Sequence, residues 1–295
     1  MAALDWLYPS KAVLAPFVVL GLFLVAYNVG TVSKPCQIQQ DASPVSSEPR
    51  MQEPCPLPGA GRFSRVKLNS TGLLSFPGSG NTWTRHILTT ATGILTASVY
   101  NNQEDVPLTG IRGRAQRVLV VKTHNLDKLP FSLDRYVIII RNPYDCLLAA
   151  FNRRSEAGVP FQQHIAHQPK EAFLDEWDTF VDGSMKHWSS NYLNWSKLQK
   201  PVHLLVYHRL LAQLEPELRD VIDFLHEPSI HPMIHCAARD KEGDAHRQKE
   251  EWQEKFAVFS HKQKRYLNDA IDTVQEAWEK RTGKNFADFQ KWKRP

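Results

Sequence analysis

Residues 73–83 read Leu-Leu-Ser-Phe-Pro-Gly-Ser-Gly-Asn-Thr-Trp, and this stretch is the strongest indication of the fold class. An apolar run leads into it and a helical pattern follows, so a strand is expected to pass into a helix through a turn that contains Gly78 and Gly80. Glycine lets the turn fold tightly with its N–H groups facing inward, and the first turn of the helix adds further N–H groups. The stretch therefore predicts an anion-binding loop. Three small polar side chains can donate hydrogen bonds to the same anion: Ser79, Asn81 and Thr82.

The loop differs from the P-loop of ATPases and kinases. That motif reads G-x-x-x-x-G-K-[ST], whereas Asn81 follows the last glycine here and the loop contains no lysine. A kinase or nucleotide hydrolase is therefore disfavoured, although it stays an alternative. The loop alone is also compatible with an ordinary strand-to-helix turn. Whether it binds an anion must therefore be judged from other segments of the sequence.

The sequence beyond residue 65 alternates short apolar runs with helical stretches, which predicts a parallel α/β sheet flanked by helices. The predicted strands cover residues 73–76, 118–123, 136–141 and 202–207. The predicted helices cover residues 82–94, 143–154, 216–226 and 260–281, with further helices in 170–198, where aromatic residues at helical spacing are interpreted as core.

Charged and polar side chains follow two of these strands. Lys122 and His124 end the second strand, and Arg141 ends the third, which places them at the carboxyl edge where α/β sheets bind ligands. A neutral histidine there can accept a proton from an attacking hydroxyl, and lysine can stabilise developing negative charge. Arginine at a helix mouth suits bidentate phosphate binding, with Asn142 and Pro143 starting the helix.

The loop sequence Phe-Pro-Gly-Ser-Gly-Asn-Thr-Trp resembles the 5′-phosphosulfate loop of the sulfotransferases, whose usual form is Tyr-Pro-Lys-Ser-Gly-Thr-Thr-Trp. The resemblance implies 3′-phosphoadenosine 5′-phosphosulfate (PAPS) as co-substrate, no metal, and His124 as general base with Lys122 and Arg85 supplying positive charge. The donor-binding residues that it implies are Gly78, Ser79, Gly80, Asn81, Thr82, Trp83, Arg141, Tyr207, Lys241, Gly243 and Arg247.

The chain departs from the family pattern at several positions. Gly78 stands where the family usually has a lysine, and Ala149 stands where it has a serine eight residues after the arginine. Asn152, Arg153 or Arg154 could replace that serine. After Tyr207, two basic residues, His208 and Arg209, replace the usual acids. These departures leave open a non-catalytic protein that kept the fold and lost the chemistry.

The motifs from about residue 73 to 247 are most similar to the sulfotransferase portion of the WSC-domain-containing (WSCD) family. That resemblance implies a glycan or glycoprotein acceptor, which could be sialylated. Acceptor choice is expected to depend on the loops at residues 101–116 and 158–169. Four cysteines are too few for one WSC module.

The first 65 residues of the sequence predict a membrane-anchored protein. Residues 12–32 are uncharged and long enough to cross a bilayer, and this run exceeds the apolar core of a cleaved signal peptide, which is the alternative. We expect a cytoplasmic tail at residues 1–11, an anchor at 12–32, a Pro- and Ser-rich stem at 33–65 and a catalytic domain at 66–295. Sequons at Asn69 and Asn194 favour a luminal domain, hence a single-pass type II protein of the Golgi membrane.

Charge and cysteine content set further limits. The net charge of +5 fits an anionic ligand and does not suggest nucleic-acid binding. Cys146 with Cys236, or Cys36 with Cys55, could oxidise in the lumen, but four cysteines allow three pairings and the sequence does not choose among them. An unpaired Cys36 or Cys55 could link two chains, so a homodimer is possible. The four-residue spacing of His231 and His235 lacks the surrounding motif of a zinc site.

Overall fold

The computed structural model describes residues 54–55, 61–100, 106–107, 115–129, 132–154, 176–225, 232–241 and 256–295. The strands are β1 (Thr71–Ser75), β2 (Ala97–Ser98), β3 (Val106–Pro107), β4 (Val121–Thr123), β5 (Arg135–Ile140) and β6 (Val202–Val206). Among the described residues they form one parallel sheet in the order β3-β2-β4-β1-β5-β6. The predicted parallel α/β fold is confirmed.

Helices cover both faces of the sheet. They are α1 (Asn81–Thr92), α2 (Pro143–Arg154), α3 (Trp177–Trp195), α4 (Tyr207–Ala212), α5 (Leu214–Leu225), α6 (Ile234–Arg239) and α7 (His261–Thr282), with short 3₁₀ turns at Leu126–Lys128 and Ala287–Trp292. The cores on the two faces use alternate residues of the same strands: Leu74 and Ile138 pack with α2, α3 and α7, whereas Leu73 and Val137 pack with α1, α5 and α6. Because both faces are covered, β1 and β4 are buried along their whole length, and β5 is apolar and buried from Tyr136 to Ile140.

Local signals in the sequence explain where the helices begin and end. The Asn142 side chain accepts a hydrogen bond from the backbone N–H of Tyr144, as expected at the start of α2. Ser260 and Gln263 form a reciprocal capping box on α7, and Gly283 ends that helix in a left-handed conformation. The structure differs from the prediction at β4, which begins at Val121 rather than Val118, and at the short elements β2, β3 and α6, which carry too few residues to show a period.

The start of the folded domain lies earlier in the chain than predicted. Residues up to 65 were assigned to the stem, yet Arg62 pairs with Ile94, and the buried Ser64 donates its backbone N–H to the carbonyl of Arg117. The predicted tail and anchor, and the stem as far as residue 53, lie outside the described residues. Within the part of the chain that is described, none of the helices is both long enough and apolar enough to cross a bilayer.

One disulfide joins Cys55 to Cys236. Both pairings named from the sequence, Cys146 with Cys236 and Cys36 with Cys55, are therefore wrong. The physical reason is that the two cysteines lie on opposite faces of the sheet. Cys146 lies on α2 and packs in the core on one face, whereas Cys236 lies on α6, which packs on the other. Cys146 remains a buried thiol, and burial raises its pKa to about 12.

Candidate active site

Four adjacent strands deliver the candidate site to one edge of the sheet. The loop that begins at Phe76 follows β1, His124 follows β4, Arg141 follows β5 and Tyr207 follows β6. Since all these strands are parallel, their carboxyl ends meet at the same edge, where such sheets bind ligands. The structure therefore brings the loop, His124, Arg141 and Tyr207 to one edge of the sheet.

The loop requires glycine at two positions. Gly78 and Gly80 both have positive φ, +82° and +87°. A Cβ on Gly78 would lie 2.5 Å from the carbonyl oxygen of Cys146, and one on Gly80 would lie 2.2 Å from the ring of Tyr207. Helix α1 then begins at Asn81 with no side-chain cap on its N-terminus. The tight loop and the absence of a side-chain cap on the first turn of α1 suit a phosphate.

Arg141 and the rings of Trp83 and Tyr207 lie beside the anion-binding loop. Nη1 of Arg141 donates to the carbonyl of Gly78 at 2.8 Å, and its guanidinium lies 4.7 Å from the ring centroid of Tyr207. Trp83 packs edge-on against Tyr207, with ring centroids 5.7 Å apart, and its Nε1–H donates to the backbone carbonyl of Lys241 at 2.6 Å. These contacts orient a planar cation beside the anion-binding loop.

Two of the three polar side chains assigned to the anion are turned into the protein. The buried Ser79 hydroxyl lies 3.2 Å from Sγ of Cys146, and Nδ2 of Asn81 donates to the Leu73 carbonyl and to Oγ of Ser75. This corrects the expectation of side-chain bonds from Ser79 and Asn81 to phosphate, because their polar atoms support the loop from behind. Thr82 is half-buried on the first turn of α1.

His124 is held by the end of the neighbouring strand. Its Nδ1 lies 2.8 Å from the carbonyl oxygen of Ser75, and its backbone N–H donates to the hydroxyl of Tyr100. A carbonyl can only accept, so Nδ1 carries the proton and, in the neutral ring, Nε2 carries the lone pair. This is the tautomer that a general base needs.

The cations assigned to charge stabilisation are both buried. Lys122 precedes His124 by two residues, and its Nζ lies 5.9 Å from the ring centroid of Tyr100. The Tyr100 ring also packs against His124, with centroids 5.5 Å apart. Arg85 is buried one helical turn after Asn81, and residues four apart share a helix face.

The loop rests on a buried, uncharged floor. Tyr192 on α3 donates its hydroxyl to the carbonyl of Ile139 at 2.7 Å and accepts from the backbone N–H of Phe76. Burial raises the pKa of Tyr192 far above its usual range, so the hydroxyl stays neutral. Tyr192 thus holds the start of the loop through neutral hydrogen bonds, and it places no negative charge near a bound anion.

The remaining predicted residues are not brought into the site by the described structure. Gly243 and Arg247 lie outside the described residues, and Lys241 is exposed and contributes its backbone carbonyl to Trp83. Asn152 is buried, whereas the side chains of Arg153 and Arg154 lie outside the description. The two sequon asparagines, Asn69 before β1 and Asn194 on the last turn of α3, are exposed.

Sequence reasoning missed three residues of the site: Ser75, Tyr100 and Tyr192. Ser75 is the last residue of β1, and its position directly before the predicted loop was the only feature of the sequence that could have indicated a role in the site. Tyr100 and Tyr192 come from elements far away in sequence, and their role becomes visible only when the sheet forms. One possible ligand cluster occurs in the described part of the chain, at Cys55, His235 and Cys236, but its two cysteines form the disulfide and are not thiolates.

Comparisons with known proteins agree with this geometry. A model of the sulfotransferase domain family matches residues 70–281. The chain is 34% identical over 187 residues to WSCD family member CG9164 of Drosophila melanogaster, and 34% identical over 185 residues to WSCD family member AAEL009094 of Aedes aegypti. Each match covers 61% of this chain and 57% of the relative, so the chain spans little more than half the length of these relatives.

A solved structure shares the fold. The mouse sulfotransferase SULT7A1, which was crystallised with PAP, superimposes with a TM-score of 0.50 at 16% sequence identity, over 78% of this chain and 90% of that one. The family match covers well over half of the sequence and includes all six strands of the sheet. On this evidence the chain belongs to the sulfotransferase domain family.

Proposed function

We propose that this sulfotransferase uses PAPS as donor and transfers its sulfuryl group to a hydroxyl of a luminal acceptor, with His124 as general base. The observation that carries the proposal is the hydrogen bond between Nδ1 of His124 and the carbonyl of Ser75, which is the last residue before the anion-binding loop. It fixes the basic Nε2 tautomer next to the loop. The family match supports sulfuryl transfer as the reaction class.

The step requires one proton acceptor and good positioning. The acceptor hydroxyl gives its proton to Nε2 of His124 while its oxygen forms a bond to sulfur, and the bond from sulfur to the phosphate oxygen breaks. Adenosine 3′,5′-bisphosphate (PAP) leaves with the electron pair. By analogy with phosphoryl transfer, charge on the transferred group is stabilised by nearby cations, and Lys122 and Arg85 are the buried candidates.

The donor's phosphates have separate sets of partners. The loop from Gly78 to the first turn of α1 offers backbone N–H groups to the 5′-phosphosulfate. Arg141, aligned by the Gly78 carbonyl and the Tyr207 ring, is the candidate for the 3′-phosphate, because guanidinium groups bind phosphate in a bidentate manner. The mouse sulfotransferase that shares this fold was crystallised with PAP, which supports a bisphosphate nucleotide as the ligand.

The cellular setting remains part of the proposal. A disulfide between Cys55 and Cys236 is typical of oxidising compartments, which supports a luminal domain. The exposed sequons at Asn69 and Asn194 and the apolar run at residues 12–32 are consistent with a glycosylated, type II Golgi membrane protein. The relatives are named as WSCD family members, and we propose a glycan or glycoprotein acceptor on that basis, sialylated glycans included.

The experiment measures transfer of ³⁵S-sulfate from PAPS to a panel of glycans, peptides and phenols, together with calorimetric binding of PAP and ADP. We expect glycan-dependent transfer and tighter binding of PAP than of ADP, since ADP lacks the 3′-phosphate. Preference for ADP or ATP would indicate the kinase alternative. PAP binding with no transfer to any acceptor would indicate a protein that kept the donor site and lost catalysis.

A further inference from the structure

Ser75 presents two oxygen atoms to the same nitrogen of the candidate base. Its carbonyl oxygen lies 2.8 Å from Nδ1 of His124 and its hydroxyl oxygen lies 3.3 Å from that nitrogen. Ser75 is fully buried at the end of β1, so both oxygens are in fixed positions. The register explains the contact: Leu74 pairs with Thr123, and Ser75 and His124 are the next residues of the two strands.

Asn81 in turn holds the Ser75 hydroxyl. Its Nδ2 donates to Oγ of Ser75 at 3.1 Å and to the carbonyl oxygen of Leu73 at 3.2 Å. A backbone carbonyl accepts only, so the Leu73 contact determines which end of the Asn81 amide is the NH₂ group. Oγ of Ser75 therefore receives a hydrogen bond from Asn81, and a lone pair of that oxygen can face His124.

We propose that Ser75 and Asn81 are positioning residues for His124: they orient its ring and stabilise the imidazolium formed when it takes the acceptor's proton. The inference rests on the proposed function, in which His124 is the base. Neither residue touches the reacting atoms in this proposal. Their role corresponds to that of the third group in a catalytic triad, with two neutral oxygens in place of a carboxylate.

The arrangement also connects the base to the donor loop. Asn81 is the first residue of α1 and directly follows Gly80. The side chain that donates a hydrogen bond to Ser75 therefore comes from the end of the anion-binding loop. Loop geometry and base orientation thus depend on one hydrogen-bonded chain. Two charged or titratable groups near His124 are Tyr100, whose ring packs on it, and Lys122, which precedes it by two residues.

The test compares Ser75→Ala, Ser75→Thr and wild type, with Ser189→Ala as matched control. Ser189 is also a buried serine, but its hydroxyl bonds within α3 and to Tyr266. Loss of an acceptor disfavours the charged ring, so in Ser75→Ala the pKa of His124 should fall by about 0.5–1. The acid limb of the kcat profile should move to lower pH by the same amount, with kcat reduced about 3–10-fold and PAP affinity unchanged. Ser75→Thr keeps the oxygen and should behave like wild type.

A second readout does not depend on catalysis. NMR titration of ¹³C-histidine-labelled protein, with His124 assigned from a His124→Gln variant, reports the His124 pKa directly. Ser75→Ala and Asn81→Ala should each lower it, and the double variant should lower it no further than Ser75→Ala, because both act through one contact.

Each outcome has a separate meaning. A wild-type His124 pKa in Ser75→Ala, or additive shifts in the double variant, would overturn the positioning role even in an active enzyme. Absence of sulfate transfer by the wild type would instead reject the proposed function, and the titration would still decide whether Ser75 and Asn81 act on His124.

Discussion

Gly78 packs directly against Ala149: a Cβ built on the glycine would lie 3.2 Å from the Cβ of the alanine. These are the two positions at which the chain departs from the usual lysine and serine of the donor site, and the structure shows that they are neighbours. The loop backbone packs against α2. A side chain on residue 78 would also contact the carbonyl oxygen of Cys146 and the backbone nitrogen of Ala150. The two departures therefore belong to a single close contact between loop and helix.

Gly78→Ala should destabilise the fold by ~2–5 kcal/mol, since it combines the strain of positive φ with a clash against helix backbone. Two glycines provide matched controls for urea unfolding. Gly283 has φ +69° but open space around it, so Gly283→Ala should show the strain alone. Gly183 has nothing within 4 Å and lies in α3, so Gly183→Ala should stabilise slightly. Equal changes in the free energy of unfolding at all three glycines would contradict the close contact between Gly78 and α2.

Gly78→Lys should not raise sulfotransfer activity, although it restores the lysine usual in the family. The side chain cannot be built without moving the loop away from Cys146 on α2. We expect activity below wild type in the ³⁵S-sulfate assay, together with lower thermal stability. An increase in kcat at unchanged stability would show that the loop has room for the lysine and that its loss is an evolutionary defect.

Arg141→Lys should weaken PAP binding about 10–100-fold, because an ammonium group cannot bind phosphate in a bidentate manner or stack on Tyr207 as guanidinium does. The contact with the Gly78 carbonyl would also change. Calorimetry with PAP measures the effect, and Arg265→Lys, at an exposed position of α7, serves as control. Unchanged affinity would place the 3′-phosphate elsewhere.

Reduction of the Cys55–Cys236 disulfide should lower both stability and donor affinity. The bond closes a sequence separation of 181 residues, and loss of such a constraint costs ~2–5 kcal/mol. It also anchors α6, after which Asp240 and Lys241 accept hydrogen bonds from His86 and Trp83 of α1.

Cys55→Ser and reductant should therefore give the same lower melting temperature and the same weaker PAP binding. Non-reducing peptide mapping should find the Cys55 and Cys236 peptides joined, with Cys146 labelled by thiol reagents only after denaturation. A native protein in which Cys146 is linked to another cysteine would contradict this pairing.

Stability should fall on mild acidification because of His203. This side chain is 9% exposed on β6, and burial, with a contribution from Lys284 and against that of Asp220, lowers its pKa from 6.5 to about 4. The unfolded chain takes up the proton below 6.5 and the folded chain only near 4, so stability is lost between these values. Urea unfolding at pH 7.5 and 4.5 should differ by ~2–3 kcal/mol more in wild type than in His203→Leu.

Much of the fold could be predicted because its signals are local. The apolar runs at β1, β5 and β6 and the caps at Asn142, Ser260 and Gly283 each lie within a few residues of the element that they define. The strand ends then place the loop, His124 and Arg141 at one edge by topology alone. Short strands such as β2 have no period to detect, so they could not be recognised.

The site was harder to predict where it depends on orientation. Ser79 and Asn81 have the residue types that bind phosphate, but whether a side chain faces the ligand or the core depends on neighbours distant in sequence, such as Cys146 for Ser79. Likewise, the disulfide depends on which helix covers which face of the sheet. Residue type and spacing predicted where the site lies, whereas the orientation of its polar atoms required the packed structure.

In the proposed reaction, His124 takes the proton of the acceptor at a donor site formed by the loop and Arg141. The most direct measurement is single-turnover transfer of ³⁵S-sulfate from bound PAPS by His124→Ala, with PAP affinity measured on the same sample and His187→Ala, on the exposed face of α3, as control. We expect the single-turnover rate to fall by about 10²–10⁴ while PAP affinity is retained, and the control to behave like wild type. A His124→Ala rate close to that of wild type would contradict it.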